Sequence, residues 1–266
     1  MTPLAPEFAP DAWQAINVVN LHRLDRANPG DLWAAPLNYL PTTGRRFDIA
    51  APPQAVSCDL LIVGGGGIVT DRGRWKGWLE GWMDAIACRK AVIWGANVAP
   101  GMVGLPIMDR FDLIGARNVN APFRFVPCAS CLHSAFDDAP RGRGVGVISH
   151  RNRIIPGSDI LNSPNDFETI VDFISARDTI VTSSYHAAYW SMLMDRRVYL
   201  YDSPNFTKRF PPKLSSMELQ PPRITDLSQV EEIASPSGSG APGALLERYR
   251  GYNRAFARDV LDLRAD

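Results

Sequence analysis

Short apolar runs alternate with segments of helical periodicity along most of the chain. In the first half, apolar runs bounded by turn-forming residues predict strands at 13–21, 58–63, 91–94, 112–115 and 123–126. Helical spacing of apolar side chains occurs at Trp75, Trp78, Leu79, Trp82 and Ile86. A turn-rich loop at 25–31 separates the first strand from a helix predicted to start near Leu32. Alternation of this kind is typical of a parallel sheet flanked by helices.

The second half repeats this pattern, with strands predicted at 145–149, 179–182 and 197–201 and helices at 165–175 and 185–194. The polar, glycine-rich stretch 137–144 predicts a linker, which divides the chain into lobes 1–140 and 141–266. Residues 211–242 are rich in Pro, Ser and Gly and are expected to stay outside the core, before a last helix at 244–263. We expect an α/β fold with two Rossmann-like lobes, each a parallel sheet flanked by helices.

Charge and composition narrow the functions open to the chain. Lys plus Arg and Asp plus Glu each number 28, so no overall positive field attracts nucleic acid, which is not an expected partner. No run approaches the roughly 20 apolar residues of a membrane-spanning helix. Residues 1–11 lack the features of a secretory signal, and four cysteines are too few for a disulfide framework. We therefore expect a cytoplasmic protein without a transmembrane segment.

A run of four glycines, Gly64 to Gly67, directly follows the apolar strand 58–63. Glycines such as Gly65 and Gly66 let the backbone approach a ligand there, and a helix starting at this turn would direct its N–H groups at an anion. The run lacks the spaced G-x-G-x-x-G pattern and a following Gly-Lys-Ser/Thr, which excludes the dinucleotide and P-loop motifs. No cofactor is predicted. The alternative is a tight turn that only the strand-to-helix geometry requires.

The first strand-to-helix loop contains Asn28, Gly30 and Asp31. Ligands of open α/β sheets bind at the carboxyl ends of the strands, so we expect these residues to contact substrate. The alternative is an ordinary turn in which Asp31 caps the helix. Arg117 follows the strand 112–115 and is a candidate cation for an anionic substrate, with a surface salt bridge as its alternative role.

Basic residues follow two strands of the second lobe. His150, Arg151 and Arg153 form a predicted cationic cluster after strand 145–149, because Arg binds phosphate or carboxylate in a fork and His can move a proton near neutral pH. A solvated loop without a ligand is the alternative. His186 lies just beyond strand 179–182, at the start of an apolar helix, and is the best candidate for general acid/base catalysis. Its alternative role is a hydrogen-bonded core histidine.

Two of the cysteines raise the question of a metal site. Cys128, Cys131 and His133 could supply three zinc ligands, but a second ligand pair is missing. Cys58 and Cys88 belong to different strand–helix units, so no metal is predicted. The Cys-x-x-Cys pair does not open a strongly helical run that would stabilise a thiolate, which leaves loop packing as its expected role.

Five short motifs occur in order over about residues 28–201: Asn28-Pro29-Gly30-Asp31, the glycine turn, Trp94-Gly95-Ala96, Ile114-Gly115-Ala116-Arg117 and Ser184-Tyr185-His186. By their order and spacing, they resemble the polysaccharide pyruvyl transferase family. Members of that family look like GT-B enzymes, with two Rossmann-like lobes and a cleft between them. Their reaction moves the enolpyruvyl unit of phosphoenolpyruvate onto two hydroxyls of a sugar and forms a pyruvate ketal.

The resemblance implies a phosphoenolpyruvate donor held mainly by the second lobe, and a glycan or lipid-linked sugar acceptor near the glycine turn. Peripheral contact with membrane-bound glycan machinery goes with such an acceptor. By the resemblance, His186 matches the donor-site histidine, which would protonate the enol carbon or accept a hydroxyl proton. His150 is the second catalytic candidate. Gly95, Ser184 and Tyr185 are carried over as substrate-binding residues.

Two positions depart from the family pattern. Ser184 stands where an Arg is usual, which removes one guanidinium from the donor site, and Asn118 stands where an Asp commonly follows the Arg of the fourth motif. Arg117, Arg151 or Arg153 could replace the lost charge. Two alternatives stay open: a GT-B glycosyltransferase using a nucleotide sugar, and a non-catalytic glycan-binding or scaffold protein, which the Ser184 departure favours.

Overall fold

The computed structural model describes residues 10–137, 139–140, 142–163, 166–203, 206, 218, 220–232 and 242–263. The chain divides into two compact units. Unit 1 takes the described residues of Met1–Asp25, Asp31–Ser134 and Tyr249–Asp266, and unit 2 takes those of Arg26–Gly30 and Ala135–Arg248. The sequence suggested a single division near residue 140. Instead, residues 26–30 group with unit 2, and residues 249–262, which are most of the last helix, group with unit 1.

Unit 1 is built on a six-stranded parallel sheet with the strand order β2-β1-β3-β4-β5-β6. The strands are β1 (Val18–His22), β2 (Arg45–Asp48), β3 (Val56–Gly64), β4 (Ile86–Ala96), β5 (Leu113–Ala116) and β6 (Arg124–Phe125). The first helices are α1 (Pro10–Gln14), α2 (Pro29–Trp33) and α3 (Trp75–Ala85). The first two residues of α2 belong to unit 2 and its remaining residues to unit 1.

The core of unit 1 explains why these segments fold as they do. Residues 60–63 of β3 are all buried, as expected of a central parallel strand that is covered on both faces. The apolar stripe of α3 contributes Leu79 and Trp82 to the same core, and the Trp82 Nε1–H donates to the Ile49 carbonyl at 3.1 Å.

Unit 2 has a five-stranded parallel sheet with the order β11-β10-β9-β7-β8. Its strands are β7 (Val145–Ser149), β8 (Ile160–Leu161), β9 (Thr179–Thr182), β10 (Arg197–Tyr201) and β11 (Arg223–Ile224). Its helices are α4 (Phe167–Ser175), α5 (Tyr185–Leu193) and α6 (Gln229–Glu232), and α7 (Ala244–Asp262) closes the chain. When the strands of each unit are numbered along the chain, those of unit 2 lie in the order second, first, third, fourth, fifth across the sheet. The first five strands of unit 1 have the same order. The predicted α/β fold with two Rossmann-like lobes is confirmed. No described helix is both long and apolar enough to cross a membrane.

Some predicted boundaries are wrong for identifiable reasons. Trp13 lies in α1, and Ile16 follows the helix; both are buried, at a spacing of three residues that is typical of a helical turn and not of a strand. The first strand therefore begins only at Val18. β4 continues through Gly95, which has a φ of +62° at a bulge, instead of ending before it. Part of the Pro-, Ser- and Gly-rich segment 211–242 does enter the core of unit 2, because Ile224 in β11 is buried there. Positions 165, 211–217, 219 and 233–241 lie outside the described residues.

Candidate functional site

The strand order of each unit has a switch point between its first and third strands, where the connections leave in opposite directions. In parallel α/β sheets, ligands bind outside the carboxyl ends of the strands at such a point. In unit 2 this edge is formed by the loops after β7 and β9, and in unit 1 by the loops after β1 and β3. Most of the residues predicted from the sequence to bind substrate lie in these four loops.

The loop after β7 is a tight turn from His150 to Arg153. The Arg153 N–H donates to the His150 carbonyl at 2.8 Å, and the His150 Nδ1 accepts from the Asn152 N–H at 3.1 Å. A neutral imidazole that accepts at Nδ1 carries its proton on Nε2, so His150 offers a donor through that atom. Arg151 is exposed beside it.

Ser183 joins the loops after β7 and β9. Its hydroxyl accepts from the His150 N–H at 2.8 Å and donates to the Arg153 carbonyl. In return, Nε and Nη2 of Arg153 donate to the Ser183 carbonyl at 3.1 and 2.8 Å. Burial lowers the pKa of Arg153, against an opposing effect of Asp202. The sequence predicted that three basic groups would converge on a ligand. Arg153 differs from this prediction, because it is buried and two of its N–H donors hold the two loops together.

Ser184 caps the N-terminus of α5. Its hydroxyl accepts from the Ala187 N–H at 3.5 Å, and its own N–H donates to the Thr182 hydroxyl at 3.0 Å. Ser184 is 1% exposed, so this residue, which was predicted to bind substrate, serves the helix start instead. The positive end of the α5 dipole lies at this edge of the sheet.

His186 lies in the first turn of α5 and is 8% exposed. Its ring contacts Tyr185 edge-on, with centroids 5.0 Å apart, and Trp190 at 5.5 Å. The backbone of Gly30 approaches so closely that a methyl group built on it would lie 2.0 Å from His186 Nδ1. The structure thus brings together two predicted motifs that are far apart in the chain. Asn28 is partly buried just before α2.

The glycine turn of unit 1 has a local structural explanation. Gly65 and Gly66 have φ angles of +91° and +77°, which favour glycine. A methyl on Gly65 would lie 2.9 Å from the Ala34 carbonyl, and one on Gly66 would lie 3.1 Å from Asp31 Oδ1. The expected helix start is not at this turn, because α3 begins only at Trp75. With the Asp31 carboxylate against Gly66, the turn suits hydroxyl donors better than the anion first expected there.

His22 is a candidate that the sequence reasoning missed. It is the last residue of β1, is 1% exposed, and its Nδ1–H donates to the Asp31 carbonyl at 3.4 Å. Burial is the largest effect on its pKa, which is lowered to about 4, so the ring is neutral at pH 7. Within the described part of the chain, its buried Nε2 has no hydrogen-bond partner. Its position directly after the predicted strand 13–21 was the signal in the sequence.

The other predicted residues of unit 1 are held by backbone contacts. A methyl on Gly95 would lie 2.9 Å from the Pro127 carbonyl, so close chain packing requires glycine there. Arg117 is 5% exposed, which excludes the surface salt bridge considered for it, and its N–H donates to the Ala96 carbonyl at 2.9 Å. Asn118 pairs through both side-chain atoms with the backbone of Val98 at 2.9 Å.

The Cys128–Cys131 segment packs against α7. The Asn253 Nδ2 donates to Cys131 Sγ at 3.3 Å, and the Arg250 Nε donates to the Cys131 carbonyl at 2.9 Å. The ring of His133 stacks edge-on against Trp33 with centroids 4.8 Å apart. Among the described residues, no group of three His, Cys, Asp or Glu side chains is arranged to hold a metal ion.

Comparison with known proteins gives the fold and no more. No family model matches the chain, and no curated protein matches it. The chain is similar to the crystal structure of a functionally uncharacterized protein from Klebsiella pneumoniae, with 14% sequence identity and a TM-score of 0.50. The match covers 85% of this chain and 100% of that one. At this identity, the similarity supports a shared fold and carries no function.

Proposed function

We propose that the chain is a transferase that moves the pyruvyl group of phosphoenolpyruvate onto two hydroxyls of a sugar, as a step in surface-polysaccharide assembly in the cytoplasm. One observation carries the proposal: the backbone of Gly30 closes against the His186 ring at the switch point of unit 2. These residues come from two of the motifs that resemble the pyruvyl transferase family. A titratable ring at the edge where parallel α/β sheets bind ligands supports the proposal.

The donor suits the groups at this edge of unit 2. Phosphoenolpyruvate carries a phosphate and a carboxylate, which bind to guanidinium groups and to backbone N–H groups at helix starts. The exposed Arg151 and the first turn of α5 supply both kinds of group. The His150 Nε2–H adds a neutral donor. None of these contacts requires a nucleotide motif.

The transfer needs a proton donor and a proton acceptor. A proton adds to the methylene carbon of the enol, one sugar hydroxyl attacks the neighbouring carbon, and the second hydroxyl completes the ketal as the bond to the phosphate oxygen breaks. Phosphate leaves, and the two hydroxyl protons balance the carbon protonation and the phosphate. His186 carries the proton transfer at the enol carbon or at a hydroxyl, and His150 is the second acid/base group.

The acceptor suits the groups of unit 1. The Asp31 carboxylate beside Gly66 accepts hydrogen bonds, and sugar hydroxyls donate them. A glycan or lipid-linked sugar therefore fits unit 1 better than a second anion does. A lipid-linked acceptor would bring the protein to the membrane surface through peripheral contacts with glycan machinery.

Thermal shift with three ligands separates the candidate functions. Phosphoenolpyruvate at millimolar concentration should stabilise the wild-type chain and Gly77→Ala, an exposed helix control with nothing within 4 Å of the added methyl, but not His186→Ala. With a suitable glycan, the wild type should then release inorganic phosphate. Stabilisation by a nucleoside diphosphate alone would instead support a nucleotide-sugar glycosyltransferase. No shift with phosphoenolpyruvate would contradict the proposed donor.

Non-catalytic glycan binding is the second candidate, and two contacts favour it. Ser184 caps α5 where the family has an Arg, and Arg153 bonds the Ser183 carbonyl, so fewer guanidinium donors face the donor site. This function predicts stabilisation by glycan in the absence of phosphoenolpyruvate, with no release of phosphate. Stabilisation by phosphoenolpyruvate that His186→Ala abolishes would exclude it.

A further inference from the structure

Cys58 and Cys88 are direct neighbours on adjacent strands. They are paired residues in the parallel register of β3 and β4. Neighbouring strands lie about 4.8 Å apart, so the Cα atoms of paired residues fall within the roughly 4.4–6.8 Å over which a disulfide forms. The sequence assigned these cysteines to different strand–helix units and gave no reason to consider them together.

The two thiols have different environments. Cys58 is 7% exposed within the core of unit 1, whereas Cys88 is partly exposed at the margin of the same core. The neighbouring Cys58 side chain is the largest effect on the pKa of Cys88 and lowers it to about 7; Arg110 also lowers it, whereas burial and Asp112 raise it. The neighbouring Cys88 side chain and burial raise the pKa of Cys58. At neutral pH, Cys88 is thus the nucleophile and Cys58 is a neighbouring thiol.

We propose that Cys88 and Cys58 form a peroxide-sensitive modification site, with Cys88 as the reacting thiol and Cys58 as the resolving one. The Cys88 sulfur attacks one oxygen of hydrogen peroxide and the O–O bond breaks, which forms sulfenic acid, and the departing hydroxide takes up the proton that the Cys88 thiol released and leaves as water. The Cys58 sulfur then attacks the sulfenic sulfur, the S–O bond breaks, and a second water leaves with the Cys58 proton. The two thiols lose two electrons to the peroxide, and the product is a disulfide between β3 and β4.

This site is separate from the proposed transferase site. Cys58 and Cys88 lie near the starts of their strands, whereas the switch point of unit 1 lies at the strand ends, beyond Gly64. The second cysteine pair serves as an internal control. Cys128 and Cys131 are fully buried, and Cys131 accepts a hydrogen bond from Asn253, so neither sulfur is open to peroxide in the folded chain.

The test is peptide mapping of the folded wild-type protein after brief treatment with hydrogen peroxide. We expect a peptide pair joined through Cys58 and Cys88, with an intact mass lower by two hydrogen atoms. Cys128 and Cys131 should become alkylated only after unfolding. In Cys58→Ala, Cys88 sulfenic acid should accumulate and be captured by dimedone, and in Cys88→Ala, Cys58 should stay reduced.

Circular dichroism establishes that each variant is folded, and the wild-type mapping does not depend on either variant. The proposal is overturned if Cys88 reacts no faster than free glutathione. It is equally overturned if the only disulfides join two chains or involve Cys128 and Cys131.

Discussion

Gly30→Ala tests the contact that carries the proposed function. The added methyl carbon would lie 2.0 Å from His186 Nδ1, 2.5 Å from Cγ and 2.8 Å from Cε1. Ordinary carbon contacts are about 3.5–4.0 Å, so the ring must move by about 1.5 Å or the α2 backbone must retreat by as much. Trp190 and Tyr185 pack against the ring and limit its movement.

The size of the effect follows from two opposing terms. Overpacking a buried site costs about 1–3 kcal/mol. Gly30 has no positive φ and lies in α2, so alanine itself favours the helix by about 0.5–1 kcal/mol. We expect the free energy of unfolding to fall by about 1–2 kcal/mol, together with loss of transfer activity because the His186 ring is displaced.

A double-mutant cycle with His186→Ala isolates this contact, with urea denaturation as the assay. Removing the ring makes room for the methyl, so Gly30→Ala should be neutral or stabilising in the His186→Ala background. The control, Gly77→Ala, adds a methyl in α3 with nothing within 4 Å and should stabilise both backgrounds equally. If Gly30→Ala has the same effect with and without the ring, the contact between Gly30 and His186 does not exist as described.

Three further predictions concern single side chains. The pKa of His22 is about 4 in the folded chain and 6.5 in the unfolded chain, so the unfolded chain binds more protons between these two pH values. The free energy of unfolding should therefore fall by up to roughly 3 kcal/mol as the pH drops from 6.5 to 4. Urea denaturation of His22→Gln should show a weaker pH dependence in that range, and an unchanged one would contradict the buried neutral ring. Asn253→Ala leaves the buried Trp94 Nε1–H without its acceptor at 2.8 Å and should destabilise the protein by about 1–3 kcal/mol, measured by guanidinium denaturation. Ser184→Ala removes the α5 cap and should cost about 0.5–1 kcal/mol without changing phosphoenolpyruvate affinity, whereas a loss of affinity in calorimetry would make Ser184 a ligand.

The regular part of the fold was predictable because burial on both faces leaves a clear pattern. Strands β9 and β10 begin and end where the apolar runs predict, and α7 differs from its prediction by one residue. The two-residue strand β11 was not predictable, because it is stabilised by pairing with β10 and not by its own composition. The position of residues 26–30 in the chain also gave no sign that they belong to unit 2, because that depends on contacts with residues far away in the sequence.

The candidate site was predictable in its positions and not in its contacts. The parallel-sheet rule directs attention to residues after strands, which identified His150 and His186. The rule does not predict which basic side chain will be buried. Arg153 is buried because its guanidinium donates to the Ser183 carbonyl in the neighbouring loop. His22 directly follows the predicted strand 13–21, but it was missed because its burial, which lowers its pKa, is a property of the folded chain.

Calorimetric titration of phosphoenolpyruvate is the decisive test of the proposed donor, because binding to the unit 2 edge can be measured without the acceptor. We expect saturable binding to the wild type and to Gly77→Ala, weakened by about tenfold or more in Arg151→Ala and in His186→Ala, which is a loss of about 1.4 kcal/mol or more. Absence of binding to the wild type at millimolar concentration, or equal affinity in all four proteins, would contradict the proposed donor site.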